Sequence, residues 1–421
     1  MEQAGAGTLT LTGANTYSGG TTISAGTLSI GDAGTTGSIA GDVTNNSAIK
    51  FNRSNSITYS GVISGTGTLE QAGAGILTLT GANSYTGGTT ITSGTINFAS
   101  GTLSDSGNIV FAGGTLQYAT GNTEDISARI KNSESAIEID TNGNDVTFAS
   151  VIDDSNVAGL TKSGEGNLIL SAANTYTGTT TISAGTLTAA NADAIGTSSL
   201  TLESGATFSL SGITSINIAG DWANNGGTFT YLGTTVVLTG SAQTITGNNT
   251  FNDLEKTNAG TVYFAEGDTQ TVNGILTITG TAGSLTTLSS TGLTRWSIKI
   301  TNDTYILQYL NVNNSNNTGA TIYAPGSTIF NCAGWVGTAR PSDTAVEPPP
   351  AQVDHATVEN SSVVVADIAA ELTAIQVPPD IINEIIAYIY DHPAVMEAII
   401  NIPPQEGLQI VIENNKIYIS A

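Results

Sequence analysis

The sequence predicts an all-β chain, a right-handed parallel β-helix of about 23 residues per coil followed by a small C-terminal α+β module. Three observations predict it. Residues 2–28 recur at 70–96 with six substitutions and more loosely at 161–187, which marks a repeat architecture. Each copy contains short runs with a period of two, the sign of strands with one buried face. The composition, with 50 glycines among 421 residues and 10% charged residues, is that of a turn-rich β chain without the triplet period of collagen.

The copies are read in chain order. Leu9 and Leu11 alternate with Thr8, Thr10 and Thr12, as Leu77 and Leu79 alternate with Thr78 and Thr80, so leucines point in and threonines out. Ile23, then Leu28 and Ile30, read as two further inward faces. Gly19, Gly20 and Gly26 stand between them, where a corner needs positive φ or lacks room for Cβ. One coil is therefore expected to hold three strands and three corners.

Four positions recur in all copies: Gly7, Gly75 and Gly166; Asn15, Asn83 and Asn174; Tyr17, Tyr85 and Tyr176; Gly26, Gly94 and Gly185. Their numbers step by 68 and then by 91. The difference of 23 suggests one coil, making the first step three coils and the second four, with equivalent residues stacked. The Asn and Tyr read as internal stacks along a rod, with a glycan platform as the alternative.

Residues 1–212 hold the recognisable copies, and 213–340 keep the alternation with a different text. About 15 coils at ~4.8 Å spacing give a rod of about 70 Å. Residues 341–352 contain Pro348, Pro349 and Pro350 and read as an extended linker. In 353–421, Asp380 is placed to cap an amphipathic helix with Ile381, Ile382, Ile385, Ile386 and Ile389 on its apolar face. Asn414-Asn415 between two alternating runs reads as a hairpin turn.

Net charge is −24, with 10 Lys and Arg in all, which argues against nucleic acid or an anionic membrane as partner. The stretch 341–421 holds 12 acids and one base and reads as a solvated acidic surface. No apolar run approaches the ~20 residues of a membrane span. The single cysteine, Cys332, excludes an intrachain disulfide and reads as a small core residue beside Phe330 and Trp335.

Catalytic residue sets are mostly missing. Both histidines, His355 and His392, follow residue 340, so the coils hold no Ser/His/Asp triad, Cys/His dyad or His-based metal site. No site residue, cofactor or metal is expected. The enzymatic alternative is a carbohydrate-active β-helix using Asp153-Asp154 with Arg129 and Lys131. Against it, those residues read equally as a corner loop and as solvated cations opposite Glu124 and Glu134. An ice-binding threonine ladder, from Thr8, Thr10 and Thr12 or from Thr78, Thr80 and Thr90, is the remaining reading; strand propensity explains those threonines more simply.

The string formed by Gly5, Gly7, Leu9, Leu11, Gly13, Asn15, Tyr17, Gly19, Gly20, Thr21, Ile23, Gly26, Thr27 and Leu28 resembles the autotransporter-associated β-strand repeat. Residues 213–335 are similar, more generally, to coils of filamentous-haemagglutinin-like surface proteins. The resemblance implies a passenger domain exported across the outer membrane of a Gram-negative bacterium, a stalk or adhesin at the cell surface. Its implied partners are the export machinery and a host or environmental surface, a glycan or another copy of the chain. Met1 stands where Leu69 precedes the second copy, so the sequence reads as a fragment or internal start. A C-terminal run of barrel strands is not seen.

Overall fold

A computed structural model describes residues 1–338, apart from 18, 232 and 303, together with the strands Gln409–Glu413 and Lys416–Ser420. The chain divides into two compact units, Met1–Arg340 and Pro341–Ala421.

The first unit is a parallel β-solenoid of about 16 turns, some 75 Å of stacked strands at ~4.8 Å spacing. Its short strands wind over three faces. The first face starts with Glu2–Gln3, Thr21–Ile23, Val43–Asn45 and Ile63–Ser64. The second carries six strands from Thr8–Leu11 to Ile109–Phe111, and the third carries fourteen from Ile57–Tyr59 to Thr328–Phe330. In chain order, Asp145–Phe148 onward resumes the first face and Ser215–Ile218 onward the second.

Alternation puts one side of every strand into the axis. Leu77, Ile96, Leu116 and Ile139 are consecutive register partners on the third face and all fully buried, so each coil's apolar row covers the next. Larger rings fill the wider coils: Trp296 stacks on Phe264 with centroids 4.0 Å apart. Trp222 meets Phe229 edge-on, and its Nε1 donates to Asn249 Oδ1 at 2.9 Å, giving a buried polar tip its partner.

The parallel stack is as expected, but the steps between copies have a different meaning. Within each copy the first half pairs with the second half one coil later. Glu2 lies opposite Thr22, Glu70 opposite Thr90 and Thr161 opposite Thr181; Thr8 lies opposite Thr27, Ile76 opposite Thr95 and Asn167 opposite Thr186. A copy is thus about one and a half coils that set their own register, at roughly 20 residues per coil. Longer coils, of the length expected from sequence, do occur where Thr115 lies opposite Glu138 and Ile137 opposite Leu160, between the second and third copies. The extra length of the second step is one such coil, while the first step is three shorter coils plus one face.

Two corrections follow. Leu28 lies opposite Leu9 on the same face, so the copied motif supplies strands to two faces per coil and leaves the third side without one; the later coils, from Ser215–Ile218, have strands on all three. Equivalent residues also do not stack. The strandless side, 13–20 in the first copy, 81–88 in the second and 172–178 in the third, falls on the third, first and second faces in turn. The repeat winds around the rod by one face per copy.

In the second unit, Gln409–Glu413 pairs antiparallel with Lys416–Ser420, Glu413 opposite Lys416. The helix expected after Asp380, the linker and the turn at Asn414-Asn415 lie outside the described residues.

Candidate functional site

The recurrent asparagines sit on the strandless sides, and two of them, Asn83 and Asn174, tie three coils together. Asn83 Oδ1 accepts from the Ile63 N–H at 2.7 Å and its Nδ2 donates to Thr102 O at 2.5 Å. Asn174 does the same with the Ile152 N–H at 2.9 Å and Ala194 O at 2.6 Å. Asn15 reaches one coil on, to Ser38 O at 3.0 Å. A side with no ladder strand leaves backbone groups in need of partners, and a short amide supplies an acceptor and a donor from one position.

The tyrosines close the same sides. Tyr85 and Tyr176 are fully buried, and the three hydroxyls pair with Thr21, Thr89 and Thr180 Oγ1 at 2.9, 2.6 and 2.7 Å. Burial pushes the phenols of Tyr85 and Tyr176 up to about 12. Tyr17 is partly buried against the core.

Gly26, Gly94 and Gly185 turn the next corner, with φ of 67°, 59° and 63°. A Cβ on Gly94 would stand 2.3 Å from Gly75 O and 2.4 Å from Gly73 O; on Gly26 it would meet Gly5 O and Gly7 O, each at 2.3 Å. On Gly185 the contacts are Gly164 O at 2.5 Å and Gly166 O at 2.6 Å. The converging carbonyls have a donor that sequence reasoning missed. Gln71 Nε2 donates to Gly73 O at 2.7 Å and Gly75 O at 3.1 Å, as Gln3 does to Gly5 O and Gly7 O.

In the third copy a lysine fills this place. Lys162 is fully buried, and its Nζ donates to Ser163 O at 2.9 Å, Gly164 O at 2.7 Å and Ala184 O at 3.2 Å. No carboxylate is within ion-pair distance among the described residues, and burial pushes the amine down to about 8. Its alignment with Gln3 and Gln71 was the available signal.

The acidic and basic residues singled out by the sequence form a bracing contact. Lys131 Nζ meets Asp153 Oδ2 at 2.5 Å, not Glu134, and Asp153 Oδ1 accepts from Ser155 Oγ at 2.6 Å. These bonds hold the Asp153 carboxyl below its ordinary range. Arg129 faces away, donating to Gly107 O at 3.0 Å and Ser106 O at 3.1 Å, while Asp154 is exposed. Asp153, the carboxylate that would join Asp154 in catalysis, is already bound to Lys131 and Ser155. Among the described residues no group of three or more His, Cys, Asp or Glu is gathered as a metal set.

Cys332 packs partly buried against the core, its Sγ within 3.1 Å of Phe330 O, and burial raises the thiol. The Phe330 ring is 67% exposed, so the apolar surroundings expected from sequence extend to one side only. The threonine ladders are discontinuous as well. Thr78 lies on the third face and Thr90 on the second, while Ala48 and Lys50 follow Thr27 and Ser29 in register.

One concave site lies on the outer surface, across the first four strands of the second face. It holds about 450 Å³ and is lined by Thr8, Thr10, Thr27, Asp32, Lys50 and Asn52, with Glu70 paired to Lys50 at 3.1 Å. Asp32 belongs to the loop 31–37, which Arg53 fastens by donating to Gly37 O at 2.6 Å and Thr35 O at 2.7 Å.

Comparison with known proteins agrees with the repeat geometry. A family model described as the passenger-associated-transport-repeat matches residues 1–30, 69–98 and 160–189. These spans hold the four strands of each copy, including the corner glutamine or lysine. An adhesin autotransporter of Brucella suis biovar 1, BmaC, is 58% identical over 53 residues, which cover 13% of this chain and 2% of that protein. No solved structure matches. The chain is thus a β-solenoid that carries three passenger-associated transport repeats, each one self-pairing over its matched residues.

Proposed function

We propose that the chain is a non-catalytic stalk of a bacterial surface protein, carried outside the cell as part of an exported passenger and used for attachment. The observation that supports this most is where the repeated polar groups go. Asn83, Asn174, Tyr85 and Tyr176 all bond to neighbouring coils or within their own coil, so repetition serves the rod and leaves contact to its outer faces. The relative described as an adhesin points the same way. The partners in this reading are the export machinery and a host or environmental surface. The twelve recurrent Gly, Asn and Tyr positions are assigned structural roles, and residues 353–421 a separate acidic module.

The test is retention of beads coated with the full chain on epithelial cells or mucin under flow, with parallel incubation on polygalacturonate. Retention above that of albumin-coated beads, without release of reducing ends, is the expected result. Release of reducing ends, or retention no better than albumin, would overturn the proposal.

A further inference from the structure

We propose that residues 119–136 form a joint in the rod, at which the coils part along the first and second faces as one unit while the third-face sheet holds. The inference concerns how the rod moves and stands whether or not the chain serves attachment.

The ladders between coils point to the place. The coil steps on either side are each crossed by two ladders. Before the joint, Thr89–Ile91 pairs with Ile109–Phe111 and Thr95–Phe98 with Thr115–Tyr118. After it, Ile137–Asp140 pairs with Gly159–Ser163 and Asp145–Phe148 with Asn167–Leu170. Between them one ladder crosses among the described residues, from Thr115–Tyr118 to Ile137–Asp140, helped by the single bridge of Ile109 to Ile130. The second-face sheet has ended at Phe111 and the first-face sheet resumes only at Asp145, so both switches of sheet meet in one coil.

The two open sides are closed by side chains. On the second-face side Ser133 Oγ accepts from the Phe111 N–H at 3.1 Å, and the Ser133 N–H donates to Asn156 Oδ1 at 3.1 Å. On the first-face side Asn122 Nδ2 reaches back to Phe98 O at 3.0 Å, and Asp125 Oδ2 accepts from the Ala149 N–H at 3.0 Å. Ser127 Oγ, bound to Asp125 Oδ1 at 2.6 Å, accepts from the Ser150 N–H at 3.0 Å. Such bonds satisfy the backbone, but each fixes a side-chain rotamer, a cost that a backbone ladder does not carry.

The interior is thin as well. From 119 to 136 the buried apolar side chains are Ile126 and Ile130, against the polar Asn122, Ser127 and Ser133. Few buried apolar groups, with amides held by side chains, mark the low-stability end of a structure, where local opening occurs. The apolar row of the third face runs through unbroken from Leu116 to Ile139, which makes that sheet the hinge line. The short turn Ser127–Arg129 links the two open sides, so they part together.

Hydrogen exchange of the full chain at increasing denaturant tests this. The Phe111, Lys131, Ser135, Ala149 and Ser150 amides bond across the open sides. They should open with one common free energy and exchange at least about tenfold faster than the flanking strands Thr95–Phe98 and Asn167–Leu170. Ser133→Ala should speed the Ala149 and Ser150 amides about tenfold, although Ser133 bonds to Phe111 and Asn156 instead, and should leave the flanking strands unchanged. Asp125→Ala gives the reciprocal test, with the Phe111 and Ser135 amides expected to speed up, and it decides the matter if Ser133→Ala does not fold. Joint amides as protected as the flanking strands, or variant effects confined to each variant's own bonded amides, would overturn the proposal.

Discussion

Replacing Lys162 with Gln, the residue of the other two copies at this corner, should change how stability depends on pH. The Lys162 amine is buried on three carbonyls with no ion pair among the described residues, and Asp140 and Glu165 act on it through space. Burial lowers it to about 8, against ~10.4 in an unfolded chain. Below pH 8 both states are protonated, and the folded state carries the full cost of the buried charge, about 3 kcal/mol at 1.36 kcal/mol per pKa unit. Between pH 8 and about 10.4 the unfolded chain binds more protons, so stability rises with pH; above that window the cost is gone. Glutamine removes the charge, although Gln71 leaves its own buried Oε1 without a partner, which costs roughly 1–3 kcal/mol. At pH 7 the variant should therefore be equal or more stable by up to about 2 kcal/mol. Relative to wild type it should lose about 3 kcal/mol as pH rises from 8 to 10.5. Chemical denaturation followed by circular dichroism at pH 7, 8, 9 and 10.5 measures the difference, and other titrating groups, Lys256 included, cancel in it. A difference that stays flat across the window would refute the buried-charge account.

Two further substitutions test the repeat. Gly94→Ala adds a methyl 2.3 Å from Gly75 O at φ 59° and should cost more than about 3 kcal/mol; Gly101→Ala, at φ 71° with open space around it, should cost about 1–2 kcal/mol. Equal losses of Tm would show that the corner contact is unimportant. Asn83→Ala strands the Ile63 N–H and Thr102 O at about 2–5 kcal/mol in total, and hydrogen exchange should speed up at the Ile63 amide; unchanged protection there would contradict the coil-tying role.

Much of the fold was legible because a period of two is unambiguous where one face is dry. Leu77 and Leu79 are fully buried as their alternation with threonine requires. The winding was not legible, since the step from the first copy to the second divides equally well into three long coils or three short coils and a face. Only the hydrogen-bond register, which pairs Thr8 with Thr27, separates them. Parity also places Gln71 and Lys162 inward, but polarity masks it, and the carbonyl cluster they serve arises from corners one coil apart. The outer groove was hidden for a similar reason: Arg53 holds Thr35 and Gly37 across a coil, a contact that no local pattern records.

The central claim is that each copy templates its own coil pair and that successive copies wind by one face. Spin labels at Thr10 and Thr78, equivalent positions of the first two copies, test it in a Cys332→Ser background by double electron–electron resonance. With three coils of rise and ~10 Å between packed faces the two backbones lie about 18 Å apart, and labels projecting outward from the second and third faces should read longer than that, beyond about 20 Å. Labels stacked on one face, three coils apart at about 14 Å, would contradict the account.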